Sequence, residues 1–433
     1  MTAPQSRPSR GLVLLVVLIA IAARGAACIA FSKNLNDDRD VYLAIAQGIH
    51  AGRGFSSPET TIPTAFRPPL YPLLLAPVSA PDQAAVRAVL HAALAAAMVL
   101  CVLWLARLSG LSPGRQLAAG LLIAVDPLLV YYSSLPMTET LAAAASAFLL
   151  ATAAAACKAF DVRKRTLYCA LGAIAFGLCV MTRPTYWAFA VCVVVFGLQQ
   201  ELRGIRDPER HKPRTLDWII GCLLAVVLVA PWTIRNWLVM GRPIVTTTHG
   251  GYTMLLGNNE AYYDEVVRQP LGTVWDGSRG PGQSAWVTKI NEDLVAAGID
   301  GEINTDRWMK DRAWKAIRAQ PGTFLLACAR RFLAFWSVRP HADSASTAGR
   351  ALAIVSAGWY TLLWLALAVG IWNALKHGGC AVELSLLLIA AFTLVHLVYW
   401  TDARMRAPIM PAIAVLVVRI RQRPSLSTLP AST

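Results

Sequence analysis

The stretch "NDDRDVYLAIAQGIHAGRGF" (36–55) follows the first long apolar run and places Asp37, Asp38 and Asp40 within four residues. Carboxylates are costly beside lipid, so their crowding needs a cause. Val41, Ile45 and Ile49 recur every four residues, the spacing of an amphipathic helix lying along a membrane surface. Asp38 or Asp40 then falls at or near the helix N-terminus, where an acid caps free N–H groups and offsets the helix dipole. A cap needs one acid, not three. Capping and a functional carboxylate are therefore both readings of this cluster.

Working outward, the 433-residue chain is 56% hydrophobic and only 15% charged, with mean hydropathy +0.49. Soluble chains carry about 25% charged residues. Long apolar runs separated by short basic pieces indicate a polytopic membrane protein. The net charge of +15 would suggest nucleic acid in a soluble chain; here retention of Lys and Arg on the cytoplasmic side explains it. The nine cysteines lie almost all in apolar stretches and none shows CxxC spacing. That pattern argues against a disulfide framework or zinc site and for small packing residues. Arg7 and Arg10 before the first run mimic a signal peptide, and "RGAAC" (24–28) faintly mimics a lipoprotein site. With many further spans following, the expectation is an uncleaved signal anchor.

Apolar segments run about 11–30, 83–106, 116–134, 139–157, 167–181, 185–199, 216–234, 351–373, 381–400 and 408–420. The fold class expected is thus an all-α polytopic membrane protein of about ten transmembrane helices, with interfacial helices and a small extracytoplasmic lobe. With the N-terminus inside, the inner loops collect "RKR" (163–165), five bases of "RGIRDPERHKPR", Lys376 and the tail Arg419, Arg421 and Arg423. That asymmetry fits both termini cytoplasmic, in a bacterial inner membrane. "FLLACARRFLAFWSV" (324–338) is apolar but carries Arg330 and Arg331 at its centre. It is expected to lie in the interface with its arginines toward headgroups, because a central arginine costs about 2.5–3.5 kcal/mol on insertion scales. Residues 1–235 then form an N-terminal module with a first outer loop at 31–82. Residues 236–350 form the outer lobe and interfacial helix, with a helix starting at Thr305 and ending at Pro321-Gly322. Residues 351–433 supply the last spans and a basic tail.

After the acids come "HAGRGF" and "PTAFRPPLYPLLLAP" (63–77), an Arg-Pro-Pro turn leading back to the second span. The order acid, surface helix, glycine turn, Arg-Pro-Pro, span resembles membrane glycosyltransferases of the C-type superfold. The likeness is to the protein-mannosyltransferase and lipid A aminoarabinose transferase branch (families 39 and 83). The elements that carry it are Asp38, Tyr42, Ala46, Gly48, Gly52 and Gly54, then Arg67-Pro68-Pro69-Leu70-Tyr71-Pro72. "DPLLVYYSSLPMTETL" with Glu139, "MTRP" (181–184), "PWTIRN" (231–236), "THGGYTMLLGNN" (248–259), "DRAWKAIRAQPGTFLL" and "RMRAPIMP" (404–411) are similar to later landmarks in the same order. One departure is Arg39, which stands where members often carry a second acid after Asp38; Asp40 is the substitute.

The resemblance implies an inverting transfer of sugar from a polyprenyl-phosphate donor to a lipid, glycan or protein acceptor at the outer face. That reaction needs a carboxylate to take the acceptor proton and cations for the phosphate leaving group. Asp38 is the expected base, Asp40 second and Asp37 third. Tyr42, Arg67, Tyr71, Glu139, Arg183, Arg235, His249, Arg404 and Arg406 are expected, with Asp37, to contact substrate; arginine suits phosphate because its planar fork donates two parallel hydrogen bonds. No cofactor is required by this chemistry. A divalent metal held among Asp126, Glu139 and His249 stays an alternative, as do an Asp-Pro turn for Asp126 and a helix cap for Glu139. The competing functions are a transporter or flippase of lipid-linked sugars, and an inactive lipid-binding relative. Transporters concentrate polar groups at the bilayer midplane, whereas here they gather in loops.

Overall fold

The computed structural model describes residues 7–206, 215–339 and 347–419. Its helices, in chain order, are α1 (Arg10–Ala30), α2 (Tyr42–His50), α3 (Leu70–Leu75), α4 (Ala84–Leu108), α5 (Pro113–Ala124), α6 (Pro127–Tyr132), α7 (Glu139–Lys158), α8 (Val162–Thr182) and α9 (Tyr186–Arg206). There follow α10 (Thr215–Met240), α11 (Gly250–Gly257), α12 (Glu260–Tyr262), α13 (Gly282–Ala296), α14 (Glu302–Ala319), α15 (Pro321–Phe335), α16 (Thr347–His377), α17 (Cys380–Val398) and α18 (Met410–Val417). Among the described residues there is no strand, only the isolated bridge Ser56–Pro63. Much of "RGIRDPERHKPR" and the tail arginines Arg421 and Arg423 lie outside the described residues.

Seven helices among the described residues are long and apolar enough to cross a membrane: α1, α4, α7, α8, α10, α16 and α17. The protein is an integral membrane protein. The other three expected spans fall on helices that are shorter or less uniformly apolar. Residues 116–134 break at Asp126-Pro127, because Pro127 has no N–H to continue α5 and fits the first turn of α6. Asp126 caps that turn, its carboxylate accepting from Leu129 N at 2.9 Å. Residues 408–420 hold only the eight-residue α18, preceded by a 3-10 segment over Ala403–Ile409 that contains Pro408. α9 runs over 21 residues, but its apolar part ends at Gln199.

α7 is the buried centre of the bundle. Its alanines let neighbouring helices approach closely, which is how helices pack where no hydrophobic effect separates them from lipid. α18 is also buried along its length. It crosses α16 at Gly370, where an added Cβ would lie 2.2 Å from the Leu416 carbonyl oxygen. Where α7 ends and α17 begins, Cys157 and Cys380 are disulfide-bonded, with Cα atoms 6.3 Å apart. The reading of all nine cysteines as packing residues is corrected for this pair, which two distant segments bring together.

The segment after α10 folds into a lobe with its own core of Met254, Tyr262, Trp275, Trp286, Met309 and Ile317. α14 begins at Glu302, three residues before the expected start, because Gly301 at φ 79° supplies the turn that launches it. α15 is helical as expected, but its arginines do not face headgroups. Arg331 is buried and donates to the carbonyls of Leu397 (2.5 Å) and Gly257, and Arg330 donates to that of Gln269. These carbonyls end helices or turns and need donors, so the arginines fasten α15 to the lobe and to α17. The exposed face of α15 is instead Leu325, Leu326, Phe332 and Leu333.

Candidate active site

α2 forms where the periodicity placed it, but it opens at Tyr42 rather than Val41. Val41 is left-handed, at φ 56°. That conformation is costly for a β-branched residue and marks a place where the surrounding structure dictates the backbone. The kink sends its two acidic neighbours different ways. Asp38 turns onto the helix start, Oδ1 accepting from Leu43 N (3.1 Å) and Oδ2 from Ala44 N (2.7 Å). Asp40 turns toward cations, Oδ1 lying 3.2 Å from Arg67 Nη2 and Oδ2 2.9 Å from Arg404 Nη1. Asp37 pairs with Arg39 at 2.7 Å, both largely exposed and apart from this cluster. Arg39, the departure from the family pattern, is thus spent on Asp37.

A second carboxylate completes the arrangement. Glu139 opens α7 and is buried; its Oε1 takes Arg183 Nη2 at 2.8 Å and stands 3.9 Å from Arg404 Nη1. Arg183 also donates Nε to Thr138 Oγ1 at 3.0 Å. Arg404 therefore bridges Asp40 and Glu139, and Asp402, two residues before it, caps its backbone N–H at 2.9 Å. Arg67, carried by the Arg-Pro-Pro turn, lies over the rings of Tyr42 (5.2 Å) and Phe66 (5.0 Å). Tyr42 packs edge-on against Tyr71. The Tyr71 hydroxyl meets His91 Nε2 at 2.8 Å, and His91 Nδ1 meets the Ser133 carbonyl at 2.6 Å. A carbonyl only accepts, so Nδ1 carries the proton and Tyr71 donates to Nε2. Five segments distant in sequence converge here: the first loop, the Arg-Pro-Pro turn, the start of α7, the α8–α9 junction and the 3-10 segment before α18.

The two aspartates are pushed apart electrostatically. Burial raises the Asp38 carboxyl above the ordinary value; the N–H groups of Ala44 and Leu43 oppose this, and the charge of Asp40 adds to it. Burial works on Asp40 in the same direction, but Arg404 and Arg67 outweigh it and hold that carboxyl below the ordinary value. Arg404 stays charged: burial alone would lower it, yet Asp402, Asp40 and Glu139 raise it. His249 lies beside the cluster, its ring against Phe66 (4.4 Å) and Tyr252. Burial, with Arg67 adding, pushes it down to about 3. Arg404 Nε lies 3.3 Å from Asp402 Oδ2, and three polar atoms in this small region are buried without a hydrogen-bond partner among the described residues: Arg67 Nε, Glu139 Oε2 and His249 Nδ1. Such atoms cost free energy unless something meets them.

Three of the expected substrate contacts lie elsewhere. Arg235 stacks on Trp232 and gives its guanidinium to the carbonyls of Thr64 (2.7 Å) and Phe55. Arg406 is buried, lies 4.0 Å from the Tyr360 ring centre, and donates to the carbonyls of Phe335 (3.1 Å) and Ser337 (2.5 Å). Asp37 is with Arg39, as above. Asp126 accepts from Tyr360 (2.8 Å) and Trp359 (3.3 Å) inside the bundle, so it does not join Glu139 and His249. Among the described residues no three of His, Cys, Asp and Glu come together. Missed in the sequence were Thr138, Asp402 and Glu302; Thr138 and Glu302 act through contacts from distant segments, whereas Asp402 carried a local signal, an acid two residues before Arg404 that caps its N–H.

The archaeal oligosaccharyltransferase AglB of Archaeoglobus fulgidus, in complex with an inhibitory peptide and a dolichol-phosphate, matches over 94% of this chain with a TM-score of 0.53 and 14% identity. The chain is thus similar in fold to this transferase. The chain spans about half the length of that transferase, 49%. A structure of the same enzyme with Zn and sulfate gives a TM-score of 0.50 over 94% of this chain and 48% of that one, again at 14% identity. ArnT of Cupriavidus metallidurans bound to undecaprenyl phosphate aligns with 95% of this chain and 78% of its own, with a TM-score of 0.41 and 12% identity. No family model and no curated protein sequence matches the chain. In the fold observed here, the acid-bearing first loop, α2 and the Arg-Pro-Pro turn lie together at the end of the bundle that carries the lobe.

Proposed function

We propose that the protein is an inverting glycosyltransferase that moves a sugar from a polyprenyl-phosphate donor to a lipid, glycan or protein acceptor. The observation that carries this reading is the convergence of Asp40, Glu139, Arg67, Arg183 and Arg404 beside Asp38, at one end of an apolar bundle. Arg67, Arg183 and Arg404 bring three guanidinium groups to one place, and Arg67 Nε there has no hydrogen-bond partner among the described residues. That suits an anion entering from the lipid side. In the reaction the acceptor oxygen attacks the anomeric carbon and its proton passes to Asp38. The bond between that carbon and the phosphate oxygen breaks, and its electron pair leaves on the phosphate. Arg67 and Arg404 meet the charge that develops there, which is where fixed donors act most strongly.

Asp38 is preferred over Asp40 as the base. Asp40 is held between two arginines and binds a proton weakly. Asp38 has no cation partner and a raised affinity for protons, nearer to what general-base catalysis needs. Each of its oxygens has spare lone-pair capacity after accepting one N–H. The inside-positive charge pattern supports cytoplasmic termini and a site on the extracytoplasmic face of a bacterial inner membrane. The purified protein, given a panel of polyprenyl-monophosphate sugars together with an envelope extract as the source of acceptor, is expected to release free polyprenyl phosphate and to attach the sugar to a component of that extract. Movement of intact donor across liposomes without its consumption would instead establish a flippase.

A further inference from the structure

We infer that Glu302 is a positioning residue that locks the lobe onto the turn presenting Arg67; this rests on the transferase reading above. The dipeptide Thr64-Ala65 is fully buried and gripped from two sides. From α10, Arg235 takes the Thr64 carbonyl at 2.7 Å. From the first residue of α14, Glu302 takes the other polarity: Oε2 accepts from Thr64 Oγ1 (2.5 Å) and Oε1 from Ala65 N (2.9 Å).

The same carboxylate reaches a third segment. Oε1 also accepts from Thr248 Oγ1, while Thr248 N donates to the Ala65 carbonyl at 3.0 Å. Thr247 Oγ1 donates to the Phe66 carbonyl. Every backbone polar group from Thr64 to the Phe66 carbonyl is thereby fixed, Phe66 N being held by Thr64 Oγ1 at 3.0 Å. The next residue is Arg67. One turn along α14, Asp306 accepts from Gly251 N at 2.6 Å. Gly251 is essential to that approach, since a Cβ there would lie 2.0 Å from the Asp306 carbonyl oxygen. The acidic start of α14 thus holds both the Arg67 turn and the loop carrying His249.

A carboxylate suits the post because it only accepts and can serve several donors at once. The helix N-terminus favours its negative charge. Without it, three donors next to the site lose their acceptor and Arg67 loses its register against Asp40. A displacement of about 1 Å at such a group costs about 10²-fold in rate.

The experiment compares wild type, Glu302→Ala, Glu302→Gln and Thr248→Val, by amide hydrogen exchange of the detergent-purified protein and by donor turnover. In Glu302→Ala, exchange is expected to quicken in peptides covering 55–67 and 246–250 but not in 282–296. Its kcat falls about 10²-fold, with donor KM changed far less. Glu302→Gln, which keeps one acceptor for the hydroxyls, falls between; Thr248→Val shows the same pattern more weakly. Unchanged exchange in Glu302→Ala overturns the lock whatever the activity. Faster exchange with wild-type kcat overturns the positioning role. A wild-type protein that turns over no donor removes the transferase reading and the positioning role with it, while exchange still decides whether the lock exists.

Discussion

Replacing Asp38 with Asn is expected to leave the protein folded and to reduce sugar transfer by about 10²–10⁴-fold, the usual contribution of a positioned general base. The substitution separates the two jobs open to this residue. Asn is as good a helix cap as Asp, so the contacts to Leu43 and Ala44 survive in part and α2 still starts at Tyr42. What is lost is the ability to take a proton. If Asp38 only caps the helix, the variant transfers sugar at close to the wild-type rate. The pH dependence of kcat/KM gives an independent check, because it reports the free enzyme's groups. A base must be ionised, and Asp38 is raised. Activity therefore falls on acidification at a pH above the ordinary aspartate value of about 3.9. Were Asp40 the base, the fall would come below that value, since Asp40 is depressed.

The same shifts have opposite signs for stability. Asp40, depressed by its arginines, contributes stability that is present above the unfolded-state value and is lost as pH falls through the folded one. Asp38, raised by burial, works against folding as it ionises, between the ordinary value and the raised one. Acid inactivation by loss of the base therefore precedes acid unfolding through Asp40.

Arg404→Ala is the second large expected effect, lowering kcat/KM for donor by about 10²–10³-fold, the range for losing one donor to a developing anion. Among the described residues Arg404 is the only cation paired with both carboxylates, at 2.9 Å from Asp40 and 3.9 Å from Glu139. Arg404→Lys restores the charge but not the planar fork and is expected to recover only part of the loss. The cap by Asp402 acts on the backbone N–H and persists in both variants, so the start of the 3-10 segment is kept. Arg406→Ala is expected to differ in kind: its guanidinium serves the Phe335 and Ser337 carbonyls, so thermal stability falls first and transfer follows it. Equal kinetic defects in intact Arg404→Ala and Arg406→Ala would contradict this division.

That division illustrates what could be read from the chain alone. Long apolar runs are local signals, and they located the seven long apolar helices, as the four-residue spacing located the helix after the acids. Asp40, Glu139, Arg67, Arg183 and Arg404 were all legible as polar groups in loops near one end of the spans. Their division of labour was not legible. Arg404 and Arg406 are two residues apart with the same chemistry, yet a 3-10 turn sends one to Asp40 and the other to Tyr360. Asp38 and Asp40 diverge because Val41 takes a left-handed backbone that no propensity suggests. Asp126-Pro127 did carry its own signal, an Asp-Pro turn, and the turn it makes explains why 116–134 is not one helix. Arg24 and Arg331, charged residues inside apolar helices, proved to serve backbone carbonyls of Ile123 and Leu397, contacts that only the packed bundle defines.

The most direct measurement is a structure of the protein with a polyprenyl monophosphate bound. The phosphate oxygens should lie about 3 Å from Arg67 and Arg404, one of them meeting the unpartnered Arg67 Nε, with the Asp38 carboxylate facing the same space. A phosphate held by Arg235 or Arg406, or one near Arg404 with Asp38 turned away from it, would contradict the assignment of this cluster as the place of transfer.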